Sequence, residues 1–287
     1  MTDDFERCLG GGIMILDGAM GTLLSNNGTC CDNLCLSDPD AVYRAHLAYI
    51  EAGADIITTD TFNANTQALA RYGFSKHADD ICSAGVRLAR MAVADSGRQC
   101  FVAGCLGACT ASPATTEAYR RQADALITAG ADTLLLETIF DLDGAIAAIK
   151  GILTAFENTG LRLPLMLSAT LTREGCLPSG HTLEQFIEAT RHSGAISYGL
   201  NCGFGVESSA PWIKRLGELT HAYISFHPNA GLPDAAGRYA CTPERLTEAM
   251  RPLLRDCRLN IIGGCCGTTP GHIRVLANEI RHLTINA

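Results

Sequence analysis

The sequence predicts a single (β/α)8 barrel spanning residues 1–287 as one domain. Three observations carry this. Short apolar runs of strand length recur eight times, amphipathic stretches of helical period separate them, and no linker or composition break divides the chain. The runs are apolar on both faces, as a parallel sheet buried under helices requires. An open doubly wound sheet is the structural rival, but it usually has fewer strands. At 287 residues the chain exceeds the ~150 of an average domain, yet α/β barrels commonly reach ~250 residues as one unit.

In order, residues 13–16 form the first predicted strand, and a helical pattern follows at 39–51. The second strand, 54–59, leads into one long helical pattern over 64–94. Strands at 101–104, 132–137 and 165–169 are followed by helices at 117–129, 142–156 and 182–192. Strands at 195–200, 222–226 and 259–262 alternate with helices at 208–220, 242–255 and 270–282. Thr242-Pro243-Glu244 places a capping side chain before a proline at the first helical position, and Thr269-Pro270 repeats the device. Gly10-Gly11-Gly12 precede the first strand instead of following it, so they form neither a dinucleotide fingerprint nor a phosphate loop.

A barrel of this kind places its active site at the carboxyl ends of the strands. Those ends read Asp17-Gly18-Ala19, Asp60-Thr61-Phe62-Asn63, Cys105-Leu106-Gly107, Glu137-Thr138, Thr170, Asn201-Cys202, His227-Pro228-Asn229 and Gly263-Gly264-Cys265-Cys266-Gly267. Carboxylates, amides and thiols gather there.

Composition removes other classes. A net charge of -8, from 22 basic and 30 acidic side chains, is the wrong sign for nucleic acid or an anionic membrane surface. No apolar run reaches the ~18 residues of a membrane span. The acidic start, Met1-Thr2-Asp3-Asp4-Phe5-Glu6-Arg7, lacks the basic first part of a secretory signal, so the expected location is cytoplasmic. In that reducing setting the 14 cysteines are buried thiols, metal ligands or nucleophiles before they are disulfides.

Cys202, Cys265 and Cys266 end the sixth and eighth strands, which a closed barrel separates by one strand only. Three thiolates with a fourth position open make a catalytic zinc pattern, whereas four protein ligands make a closed structural one. Gly263, Gly264 and Gly267 let the backbone bend tightly enough to aim the adjacent cysteines inward. Ordinary buried cysteines are the bland alternative, which spacing alone leaves open because no C-x-x-C knuckle is present. Cys30-Cys31-x3-Cys35 in a polar loop, and Cys105-x3-Cys109 beside the rim, are weaker metal candidates without a second half. Cys8, Cys82, Cys100, Cys176, Cys241 and Cys257 read as structural.

Asp17 and Glu137 are carboxylates that follow apolar runs, and burial of such groups requires a partner. A substrate ammonium is one candidate and a neighbouring Arg or Lys another. The Gly18 and Ala19 amides can take a carboxylate, so the set suits a zwitterionic amino acid. His227 is a base, a ligand or a structural group. No lysine ends a strand, which weakens a Schiff-base aldolase reading.

The ordered segments Leu16-Asp17-Gly18-Ala19-Met20-Gly21-Thr22, Gly53-Ala54-Asp55-Ile56-Ile57, Ser179-Gly180-x-Thr182, Gly199-Leu200-Asn201-Cys202, His227-Pro228-Asn229-Ala230-Gly231-Leu232-Pro233 and Gly263-Gly264-Cys265-Cys266-Gly267-Thr268 cover nearly the whole chain. In them the sequence resembles the homocysteine S-methyltransferase family, and within it the homocysteine-binding module of cobalamin-dependent methionine synthases. The resemblance implies a barrel in which Cys202, Cys265 and Cys266 bind Zn2+, while Asp17, Gly18, Ala19, Glu137 and Asn201 hold homocysteine. Two positions depart from the family's common residues: Asp60 stands where Asn is usual, and Ala108 where a proline follows the glycine.

The expected activity is zinc-dependent methylation of homocysteine to methionine, a step of methionine biosynthesis. A thiol with pKa near ~8.5 is mostly protonated at neutral pH, and zinc coordination removes that proton. The coordinated thiolate then attacks the donor's methyl group, with no side-chain base required. Methylcobalamin on a separate corrinoid protein is the favoured donor, although no Asp-x-His-x-x-Gly cobalamin signature is present and the length leaves no room for folate or corrinoid modules. S-methylmethionine or a betaine is the other option. A non-catalytic zinc- and homocysteine-binding module within a split methionine synthase complex is the competing class.

Overall fold

Eight parallel strands wind into a barrel: β1 (Met14–Ile15), β2 (Ile56–Thr58), β3 (Phe101–Gly107), β4 (Thr133–Ile139), β5 (Leu165–Ala169), β6 (Ser197–Cys202), β7 (Tyr223–Pro228) and β8 (Ile261–Ile262). Their spatial order is β1-β8-β7-β6-β5-β4-β3-β2, and a parallel bridge from Leu16 to Ile56 brings β1 back toward β2. The computed structural model describes residues 2–24 and 30–285; Met1 of the acidic start lies outside them. This is the (β/α)8 barrel that the alternation of apolar runs and amphipathic stretches predicts.

Helices between the strands start where the local chemistry allows. The Asp38 side chain accepts from the Ala41 N–H at 3.2 Å ahead of Pro39–Ala52, and Asp141 accepts from Gly144 at 2.7 Å ahead of Leu142–Thr159. Thr182 and Gln185 cap each other's backbone at the start of Leu183–Thr190. Thr242 caps Pro243–Asp256, as its sequence predicts. The single helix expected over 64–94 is two, Thr66–Ala70 and Ala78–Ser96, with a 3-10 turn at Ser75–His77 between them. The break follows from Gly73, whose φ of +78° ends the first helix in the left-handed region.

A helix that the strand-by-strand reading does not anticipate, Thr2–Gly11, closes the amino end of the barrel. Phe5 and Leu9 pack with Met14, Leu16, Ile56, Phe101, Ala103, Leu135, Met166 and Ile261, which fill the barrel interior. The Phe5 and Phe101 rings meet edge to face, 5.1 Å between centroids. With that end filled by apolar side chains, a polar ligand has access from the carboxyl ends of the strands.

Strand β4 carries a bulge against β5. Leu136 pairs with Leu167 and Ile139 with Ala169, so Glu137 and Thr138 together face the one residue Ser168. Thr138 takes φ +56°, a conformation costly for a β-branched residue. Bulges concentrate beside active sites because they re-aim a side chain. Here the re-aimed residue is Glu137.

Candidate metal centre and substrate pocket

Strands β6 and β8 bring three sulfurs together. Cys202 Sγ lies 3.1 Å from Cys265 Sγ and 3.7 Å from Cys266 Sγ, and all three are within 4.8 Å of one another. Tetrahedral coordination at ~2.3 Å requires sulfurs about 3.8 Å apart, so small adjustments admit a zinc ion. Among the described residues this is the one cluster of three or more ligating side chains at such spacing. Cys202 itself sits at φ +59°. Hydrogen bonds from the Cys202 and Cys265 thiols pull the Cys266 pKa well below that of an ordinary thiol.

The glycines beside these cysteines act differently from the expected bending. A Cβ on Gly263 would stand 2.8 Å from the Asp17 and Leu16 carbonyl oxygens, and one on Gly264 would stand 2.4 Å from Thr268 Oγ1. Both supply clearance for close backbone approach. Gly267, at φ +80°, is the residue with a turn conformation. The Thr268 hydroxyl donates to the Cys265 carbonyl at 2.7 Å and fixes the turn that presents the cysteine pair.

The sulfurs line a pocket of about 290 Å³ at the barrel mouth. Asp17, Asp32, Asp60 and Glu137 also line it, and no Lys, Arg or His does so among the described residues. Asp17 is buried; the Thr58 N–H donates to its Oδ2 at 2.8 Å and the Thr58 hydroxyl to its Oδ1 at 3.1 Å. Burial pushes its pKa well above the usual range, against those hydrogen bonds. The Ala19 N–H donates to Thr268 Oγ1 at 3.2 Å, and Gly18 packs against Thr268 and Tyr49 with no room for a side chain.

Glu137 is the most connected of the set. Cys105 Sγ donates to its Oε1 at 3.1 Å and Asn201 Nδ2 to its Oε2 at 3.1 Å; His227 Nδ1 lies 4.0 Å away. Burial raises its pKa from an ordinary 4.5 to about 7, partly offset by the Cys105 hydrogen bond. Among the described residues neither Asp17 nor Glu137 meets a Lys or Arg, so the salt-bridge alternative drops out. Burial holds His227 near 4 and hence neutral.

Asn201 is fully used by protein groups. Its Oδ1 accepts from the Thr138 N–H at 2.9 Å and the Ser168 hydroxyl at 2.8 Å, while Nδ2 also reaches Thr138 Oγ1 at 2.8 Å. It thereby locks the β4 bulge to β6, one residue from Cys202. Ser168 and Thr58, which hold Asn201 and Asp17, were hidden in the sequence as polar residues inside apolar runs.

The weaker metal candidates have other partners. Cys31 Sγ contacts Asp60 Oδ2 at 3.5 Å, Cys30 Sγ contacts Asp32 Oδ2 at 3.7 Å, and Cys35 donates to the Asp60 carbonyl. Cys31 and Cys35 sit in short helical turns, Cys31–Asn33 and Leu34–Ser37, where the sequence suggests a polar loop, and Cys30 immediately precedes the first. Burial, with Asp32 nearby, raises Asp60 to about 7. Cys105 faces Glu137, and among the described residues neither it nor Cys109 belongs to a cluster of metal-ligating side chains. At Ala108 the N–H donates to the Glu137 carbonyl at 3.0 Å, a bond that a proline could not make.

Comparison with known proteins now places the chain. Three structures of the homocysteine methyltransferase MmuM from Escherichia coli share its fold, each over 93% of this chain and 96% of that one. The oxidised form has TM-score 0.76 at 24% identity, the metallated form 0.75 at 24% and the apo form 0.72 at 26%. A family model described as homocysteine S-methyltransferase matches residues 14–280. The chain belongs to the homocysteine S-methyltransferase family.

Proposed function

We propose that the protein is a zinc-dependent homocysteine S-methyltransferase that forms methionine, with Cys202, Cys265 and Cys266 as the metal ligands. The observation that carries this reading is three sulfurs on one wall of a pocket whose remaining charged groups are all carboxylates. The donor set fits the ion: soft thiolates at near-tetrahedral separation, half-exposed, with one side open to the pocket. A bound zinc ion supplies the acidification that a homocysteine thiol lacks at neutral pH. The metallated form of the Escherichia coli relative supports a metal in this fold.

The chain's own residues orient the amino acid. Glu137, aimed by the β4 bulge, accepts the substrate ammonium, and its ionised form is then favoured by the new cation. Asp17, held by Thr58, places a second carboxyl group on the pocket wall. Gly18 and Ala19 bring backbone close to the substrate carboxylate, with the Thr268 hydroxyl sharing the Ala19 N–H. Asn201 positions Glu137 and the Thr138 turn beside the substrate. In the reaction a sulfur–carbon bond forms to the methyl group, the donor's bond breaks with its electron pair staying on the donor, and the thiol proton leaves to solvent.

Methylcobalamin on a separate corrinoid protein is the donor that the sequence resemblance favours. The acidic lining favours a second reading, a small cationic donor such as S-methylmethionine or glycine betaine, with Asp32 and Asp60 on the rim. Methionine formation from the three donors at matched concentrations separates them. Slow turnover on free methylcobalamin, accelerated by a corrinoid protein, supports the first; fast turnover on a small cation alone supports the second. Homocysteine binding without turnover on any donor, with or without the corrinoid protein, leaves a non-catalytic module.

A further inference from the structure

Cys105, whose spacing to Cys109 suggests a metal pair, lines the substrate pocket and directs its thiol to Glu137. Its backbone is pinned on both sides. The Cys105 N–H donates to Thr59 Oγ1 at 3.0 Å, the Thr61 hydroxyl donates to its carbonyl at 2.8 Å, and those two threonine hydroxyls meet at 2.6 Å. Gln122 holds the Thr61 carbonyl at 2.7 Å from the helix outside the barrel. The side chain is buried, so its direction is set by the strand and not by solvent.

From that rigid base the thiol reaches Glu137 Oε1 at 3.1 Å, while Asn201 Nδ2 holds the other oxygen at 3.1 Å. A glutamate side chain held at one oxygen can still swing about its terminal torsion; held at both, its carboxylate plane is fixed. Asn201 works from β6 and Cys105 from β3, on opposite sides of β4. We propose that Cys105 is a positioning residue for amino-acid recognition: its thiol fixes the orientation of the Glu137 carboxylate that receives the homocysteine ammonium. This rests on the reading of Glu137 as the ammonium acceptor, and it gives a role to a cysteine outside the metal triad.

The test measures binding to the full zinc-loaded chain by calorimetry, with two ligands. L-homocysteine carries the ammonium, and 4-mercaptobutyrate carries the same thiol and carboxylate without it. Cys105→Ala is expected to weaken homocysteine binding about tenfold, in the range of one hydrogen bond to a charged group, and to leave 4-mercaptobutyrate within about twofold. Cys105→Ser keeps a donor and restores most of the loss. Cys105→Val refills the volume without a donor and reproduces the alanine result, which covers the case of a poorly folding cavity variant. Equal losses for both ligands, or no loss of homocysteine binding in the alanine and valine variants, overturn the proposal. Glu137→Gln examines the underlying reading: if it spares homocysteine binding, that reading falls, and if it weakens binding while Cys105→Ala does not, the positioning role alone falls.

Discussion

Replacing Glu137 by Gln should weaken substrate binding and strengthen the metal-free fold at once. The carboxylate is buried, with thiol and amide donors on its two oxygens at 3.1 Å each. In Glu137→Gln the carbonyl oxygen keeps the Asn201 contact and the new amide faces Cys105 sulfur, a weak acceptor. The lost ion pair to the substrate ammonium costs about 1.5–3 kcal/mol, or roughly 10- to 150-fold in homocysteine Kd. For the empty protein the sign reverses. Burial raises the Glu137 pKa from 4.5 to about 7, so the folded state binds this proton more tightly than the unfolded chain does. Its contribution is harmless below pH 4.5 and becomes destabilising as pH rises through about 7, by up to about 3 kcal/mol. Gln carries no such penalty. Urea unfolding of metal-free wild type and variant should therefore give similar midpoints near pH 5 and a more stable variant at pH 8. An unchanged homocysteine Kd, or a variant less stable than wild type at pH 8, refutes the reasoning.

Gly18→Ala should lower both stability and homocysteine affinity, because its Cβ would stand 2.7 Å from Thr268 Oγ1 and 2.9 Å from Tyr49. Overpacking of this kind costs about 1–3 kcal/mol, readable in urea unfolding and in a homocysteine titration. Ser at Cys202, Cys265 or Cys266 should each remove most of the zinc measured by elemental analysis. Ser at Cys30, Cys31 and Cys35 together should leave it unchanged, since those sulfurs face Asp32 and Asp60.

Much of this was legible because a barrel converts strand order into neighbourhood. Knowing only that Cys202 ends one strand and Cys265-Cys266 another was enough to bring the sulfurs together, since β7 alone lies between. Asp17 and Glu137 were found as carboxylates after apolar runs. What stayed hidden depends on register and local backbone. The β4 bulge, which aims Glu137 and strains Thr138, arises from pairing with β5 and has no signature in Leu136-Glu137-Thr138-Ile139 itself. The hydrogen bonds of Asn201 to Thr138, Ser168 and Glu137 likewise depend on which strands meet, and the segment Gly199-Leu200-Asn201-Cys202 alone carries no sign of them. Thr2–Gly11 escaped because an acidic stretch before three glycines gives a weak helical pattern, and its tertiary packing decides the matter. Cys105 showed only a spacing, and spacing suggested a metal pair where the fold supplies a carboxylate.

The central claim is a three-cysteine zinc site whose open position receives the homocysteine sulfur. Zinc-edge X-ray absorption on the full chain, before and after L-homocysteine is added, tests it most directly. About one zinc per chain is expected, with three sulfur neighbours near ~2.3 Å, rising to four when homocysteine binds. A sulfur count unchanged by homocysteine, or four protein sulfurs in its absence, would contradict it.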